Sequence, residues 1–148
     1  MPDETAFDSA EFLGLARRSK RDPYRLGLFA RHLEIGERAR ALLPVTGGTL
    51  VVTDRRLLQF TSHLDVDGAW NVREFGGYTV ARELPLESIV SARRETRVAA
   101  RGVEDALSIT TTGGLSEFVI SKGPERVVSD EDAARAIELL TRRSPSPG

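Results

Sequence analysis

Between Gly48 and Phe60 the chain reads Gly-Thr-Leu-Val-Val-Thr-Asp-Arg-Arg-Leu-Leu-Gln-Phe. Strand-forming residues run up to a polar Thr-Asp-Arg-Arg corner and resume at once, the pattern of two consecutive antiparallel strands. The corner has a local mechanism, because the Asp54 carboxylate can bond its own downstream backbone and close a tight turn. A chain that makes this turn is committed to building a sheet around it.

Similar signals divide the rest of the sequence. Residues 39–45 read as a first strand, with Pro44 near its end where a missing N–H is tolerated. Thr46-Gly47-Gly48 turns into the second strand, and residues 57–64 form the third. Residues 65–77 are polar and punctuated by glycine, so they read as a connection with a small hairpin at Asp67-Gly68. Residues 78–86 make the fourth strand and 89–98 the fifth. After a loop at 102–105, residues 106–111 and 115–121 pair around Thr112-Gly113-Gly114. Ser129 then caps a helix with Asp130, Glu131 and Asp132 in its first turn and Arg142 and Arg143 in its last, which suits the helix dipole. Ala133, Ala136, Ile137 and Leu140 form its apolar stripe.

The first 32 residues read differently. Residues 1–7 lack an anchor and are expected to fray. Asp8 and Glu11 have capping-box spacing, followed by Phe12, Leu15 and Ala16 at helical period. Asp22-Pro23 starts a second helix with Leu26, Phe29, Ala30 and Leu33 on one stripe.

Seven strands followed by one amphipathic helix resembles the bacterial pleckstrin-homology-like (GRAM-like) domains. The resemblance covers 33–143 and rests on Ile35-Gly36-Glu37, Thr53-Asp54-Arg55-Arg56-Leu57, Leu84-Pro85-Leu86-Glu87-Ser88-Ile89 and Leu107-Ser108-Ile109-Thr110-Thr111. It implies a mainly β fold, a seven-stranded bent barrel capped by the C-terminal helix. The expected organisation is an N-terminal helical extension at 1–32, the domain at 33–143 and a disordered tail at 144–148. Function does not follow from such a fold, which hosts many.

Composition limits the functional classes. Lys+Arg 21 against Asp+Glu 22 leave a net charge of −1, so no global basic field draws the chain to nucleic acid. The absence of cysteine removes thiol chemistry and cysteine metal sites. Only Lys20 and Lys122 are lysines, an arginine bias that points to a GC-rich bacterial genome. The polar, acidic start carries no secretory pattern, so a cytoplasmic location is expected. No Gly-x-Ser-x-Gly elbow is present and His32 and His63 lie in different segments, so no catalytic residues, enzymatic activity or cofactor are expected.

Binding is the expected work, with another protein or a second copy as partner. Trp70, Phe75 and Tyr78 follow the third strand and are the candidate partner anchors, since aromatics supply contact area at small entropic cost. Their competing role is a satellite cluster packed under the connection. Arg93, Arg94, Arg97 and Arg101 are the candidate anion-binding set. On a strand Arg93 and Arg97 share a face with Glu95 between them while Arg94 points away, a pattern that also protects a sheet edge. Arg17, Arg18, Lys20 and Arg21 form a second basic run, and a membrane surface is the alternative partner for either group. Phosphoinositide-binding relatives carry cations around the first loop, but here Val45-Thr46-Gly47-Gly48-Thr49 has none, and Arg38 and Arg40 are a partial match.

The window from His63 through Asp65, Asp67 and Gly68 to Glu74 has part of the spacing of an EF-hand calcium loop. Its first position offers a nitrogen where calcium needs an oxygen, and its flanks read as strands, so no metal is expected. A calorimetric calcium titration to millimolar concentration is expected to show no saturable heat. Saturable binding that disappears in Asp65→Ala would overturn this.

Overall fold

The computed structural model describes residues 3–14, 23–45, 48–67, 71–99, 102–123 and 128–141. In chain order its elements are β1 (Glu11–Phe12), α1 (Pro23–Ala30), β2 (Ala39–Val45), β3 (Gly48–Thr53), β4 (Arg56–Asp67), β5 (Asn71–Pro85), β6 (Ile89–Ala99), β7 (Gly102–Thr111), β8 (Gly114–Gly123) and α2 (Asp130–Thr141). The 3-10 turns Glu4–Phe7 and Leu86–Ser88 lie between them. One sheet holds β1 to β5 and the other β6 to β8, each in sequence order. Seven long strands and a C-terminal helix therefore occur in the order of the pleckstrin-homology-like fold. The bent barrel is open: among the described residues no ladder joins the two sheets.

Two expected loops are strand. Residues 65–77 were expected to be a polar connection, but β4 and β5 stay paired as far as Asp67 and Asn71, with register shifts along the way. Residues 102–105 likewise extend β7, where Val103 faces Val98 and Asp105 faces Thr96. Hydropathy reports burial, whereas the ladder needs only backbone groups, so polar strand ends look like loop.

The apolar residues explain the layers. β2, β3 and β4 carry near-continuous apolar runs, the signature of strands covered on both faces. Leu43, Leu50, Val52 and Leu57 face a cluster with Leu107, Ile109 and Phe118 of the second sheet. Leu42, Val51, Leu58 and Phe60 face the other way, against Phe7, Phe12, Leu26, Phe29 and Leu33. The N-terminal segment thus forms a third layer. Phe29 is fully buried, with its ring centroid 4.8 Å from that of Phe60.

This layer corrects two expectations. Residues 1–7 were expected to fray, yet Phe7 is buried and Asp3 accepts the Thr5 N–H at 3.0 Å to cap a 3-10 turn. No helix starts at Asp8: Glu11 and Phe12 instead pair in parallel with Ala41 and Leu42. Gly14 follows at φ 57, a conformation that ends such a run and favours glycine. Burying Phe7 and Phe12 on an apolar sheet face outweighs a weak helical preference. The second predicted helix is present as α1.

Ser129 caps α2 as expected, its Oγ accepting the Asp132 N–H at 3.1 Å. Ala133, Ala136 and Leu140 are buried and Ile137 is partly buried, in the same cluster as Leu50, Val52, Leu107 and Ile109. Leu139 joins them. The helix is also tied to the N-terminal segment: Arg135 donates to both Glu11 carboxylate oxygens, at 2.6 Å for Nη2, and the Gly14 N–H donates to Asp132 at 2.8 Å. Leu140→Asp is expected to cost roughly 3–5 kcal/mol, because it places an unpaired carboxylate in this cluster. Thermal unfolding measures it, and a mutant melting like wild type would refute the docking.

Candidate functional site

The residues that carry the family resemblance form a buried polar clamp. Glu37 is 2% exposed and Thr53 fully buried. One Glu37 oxygen accepts from Thr53 Oγ1 at 2.6 Å and Arg56 Nε at 2.9 Å; the other accepts from Arg56 Nη2 at 2.9 Å and the Glu34 N–H at 2.8 Å. Arg56 also donates to the His32 carbonyl and to Glu83. The Asp54 N–H donates to the Arg38 carbonyl while its side chain accepts the Arg38 N–H. Burial pushes the Glu37 carboxyl up, but the Arg56 and Thr53 hydrogen bonds outweigh it and hold the group below its usual range. Glu37 in turn holds Arg56 still more firmly protonated. The clamp fixes the corner and leaves no part of this carboxylate for chemistry.

The arginines of β6 divide as their alternation implies. Arg94 turns inward and donates to the buried Asp105 at 2.8 Å and to Asp130 at the start of α2. Thr96 occupies the other Asp105 oxygen at 2.6 Å. Arg97 lies outward, bonded to Glu104 at 2.8 Å and Glu117 at 2.8 Å, and Arg93 contacts Glu95 at 2.6 Å. The Glu117 and Glu104 hydrogen bonds raise the Arg97 affinity for its proton, and Arg97 in turn lowers that of Glu117. Arg101 lies outside the described residues, as do Arg17, Arg18, Lys20 and Arg21. The three described arginines are thus faced by five carboxylates.

Of the aromatic candidates, Trp70 lies outside the described residues, in the three-residue link between the paired Asp67 and Asn71. Phe75 is on β5, in register with Leu64. Tyr78 is half-buried on the same strand, with its ring 4.3 Å from that of Phe29 and its carbonyl accepting from His32 Nε2 at 2.9 Å. It joins the outer core cluster and the hairpin does not present it at its end.

The described residues of the calcium-like window lie on β4 and β5, with Asp65 opposite Glu74 across a ladder, and Gly68 lies outside the described residues. That extended backbone differs from the tight loop an EF-hand requires. A cleft of about 270 Å³ lies beside the clamp, lined by Asp3, Thr5, Ala6 and residues 35–38. It falls below the range of roughly 300–1,000 Å³ common for small-molecule pockets.

One cluster escaped sequence reasoning. Arg82 on β5 lies over the Phe118 ring, with its guanidinium carbon 3.8 Å from the centroid, and Nε donates to Gln59 at 2.7 Å. The signal was present: Arg82 lies two positions before Leu84, on the face that should be apolar.

No family model and no curated protein matches the chain. Among solved structures, the crystal structure of a pleckstrin homology domain from Shewanella amazonensis SB2B is similar, at 13% identity and a TM-score of 0.49, covering 76% of this chain and 91% of that one.

Removing the Glu37 carboxylate should unfold the clamp. Glu37→Ala is expected to cost about 3–5 kcal/mol, since Arg56 keeps its charge in a partly buried site without its main partner. Because the folded-state affinity of Glu37 for a proton is depressed, its contribution is present above the unfolded value of about 4.3 and is lost as pH falls through the folded value. Urea midpoints should therefore fall on acidification below about pH 4.5 in wild type and fall less in Glu37→Gln. Equal acid sensitivity of the two would refute this role.

Proposed function

We propose that this chain is a non-enzymatic, GRAM-like binding module that works by contact with another protein or with a second copy. The organisation behind the proposal is a domain at 33–143 with an N-terminal extension at 1–32, acting in the cytoplasm. The observation that carries the reading is the charge balance on β6. Arg93 and Arg97 meet Glu95, Glu104 and Glu117 on the exposed face, and Arg94 is used by Asp105 and Asp130. A face of matched opposite charges has little field to attract an anionic surface. No helix among the described residues is long and apolar enough to cross a membrane.

The long β4–β5 hairpin offers the alternative surface. Trp70 sits in its connecting link by sequence, Phe75 follows on β5, and the two paired strands are twelve and fifteen residues long. Large aromatics on a supported hairpin suit a partner anchor. Tyr78, turned into the outer cluster, supports the base of that surface.

The test is a pull-down from the native host with mass spectrometry, followed by variants. Trp70→Ala is expected to weaken capture of the partner by about tenfold or more, an ordinary hot-spot loss of at least 1.4 kcal/mol. The double variant Arg93→Ala, Arg97→Ala is expected to leave capture within about threefold, as exposed pairs contribute little. The reverse result would establish the membrane or anionic-ligand alternative.

A further inference from the structure

The four sheet edges differ in how well they could pair with another strand. β1 is two residues long, and β5 meets β4 with three register shifts. β8 is interrupted where the ladder shifts between Asp105 and Ala106. β6 has its one shift at the start, between Ile89 and Ser91, and from Ser91 to Ala99 every residue keeps step with β7. Short strands and bulges blunt an edge, so β6 is the edge left straight enough to pair. Among the described residues its only ladder is with β7.

The later half of that strand is uncovered. Thr96, Arg97 and Val98 are exposed, Val98 at 90%, while Asp105 beside Thr96 on β7 is buried. Ala92 packs in the cluster that α2 completes and Arg94 pairs with Asp130, so α2 meets β6 before this stretch.

Charge order along β6 selects an occupant. When a strand pairs antiparallel with its own copy, a two-fold axis through one residue keeps the faces matched. An axis through Arg93, Arg94, Glu95 or Arg97 sets that charged residue against itself, which is unfavourable. An axis through Thr96 sets Thr96 against Thr96, Arg94 against Val98 and, twice, Glu95 against Arg97. Opposite charges and threonine pairs at directly facing positions are favourable. Arg97 already faces Glu104 across the β6–β7 ladder. In this register it would stand between Glu104 and the second copy's Glu95, so charge alternates across the joined sheets. The charges that guard the edge against other strands thus fit a second β6.

We infer that the free edge of β6 is a self-association surface, where a second copy of this chain adds its own β6 antiparallel about a two-fold axis at Thr96. The two three-stranded sheets would become one continuous sheet. This rests on the reading of the chain as a binding module and names the second copy as a partner. It does not involve Trp70, so the two surfaces fail separately.

The experiment is analytical ultracentrifugation of the purified full chain across the micromolar range. A reversible monomer–dimer equilibrium is expected, unchanged in Trp70→Ala. Glu95→Arg and Arg97→Glu each set like charges opposite one another in a homodimer and should weaken it about tenfold or more. An equimolar mixture of these two variants restores both opposite-charge contacts and should dimerise like wild type. Because the chain has no cysteine, Thr96→Cys should give a disulfide-linked dimer on mild oxidation, as facing positions lie near disulfide reach. Ser91→Cys, remote from the axis, should give far less. A wild type that stays monomeric, a dimer indifferent to both charge reversals, or a mixture that fails to recover overturns the inference. Loss of the dimer in Trp70→Ala with both charge variants intact assigns self-association to the hairpin instead. Should a charge variant fail to fold, the comparison of Thr96→Cys with Ser91→Cys decides: equal cross-linking overturns the register.

Discussion

Glu37 and Arg56 form the interaction on which the sheet geometry depends. A carboxylate and a guanidinium at this depth would each be costly alone, and their two-point pairing with Thr53 in support offsets that cost. The pair joins four stretches of chain: the end of the N-terminal layer at His32, the lead-in at Glu34 to Glu37, the β3–β4 corner and Glu83 on β5. Gly36, at φ 81, allows the lead-in to turn so that Glu37 points inward. An apolar substitute has no directional hydrogen bonds and would not fix the direction in which four segments meet.

From that fixed corner, the five-stranded sheet is covered on two sides. The second sheet and α2 close one face, and the N-terminal segment closes the other. Each layer buries large side chains against Leu42, Leu43, Leu50, Val51, Leu57 and Leu58, which is the dominant favourable term in folding. The layers are also cross-linked electrostatically: Glu11 and Gly14 hold α2 through Arg135 and Asp132. The exposed pairs add little stability individually. Their effect is on direction, fixing where α2 and the first residues lie.

The same pairing shapes function by subtraction. A chain with this many arginines would present a basic face, yet Glu95, Glu104, Glu117, Asp105 and Asp130 occupy the β6 set.

The sequence by itself determined the strand order, the place of the Thr-Asp-Arg-Arg corner (closed by Thr53 Oγ1, which accepts the Arg55 and Arg56 N–H groups, where Asp54 was expected to close it), the Ser129 cap and the alternation that sends Arg94 one way and Arg93 and Arg97 the other. These are local: turn chemistry, capping and period two act over a few neighbours. Tertiary structure decided the rest. It pulled residues 3–14 into a turn and a short parallel strand because an apolar sheet face was available to bury Phe7 and Phe12. It continued the β4–β5 ladder through residues whose polarity reads as loop, since a partner strand supplied the hydrogen bonds. It also sorted the charges, turning the described arginines of β6 into matched pairs. Which carboxylate meets which arginine depends on strand register and on residues up to 124 positions apart, and no local pattern encodes that distance.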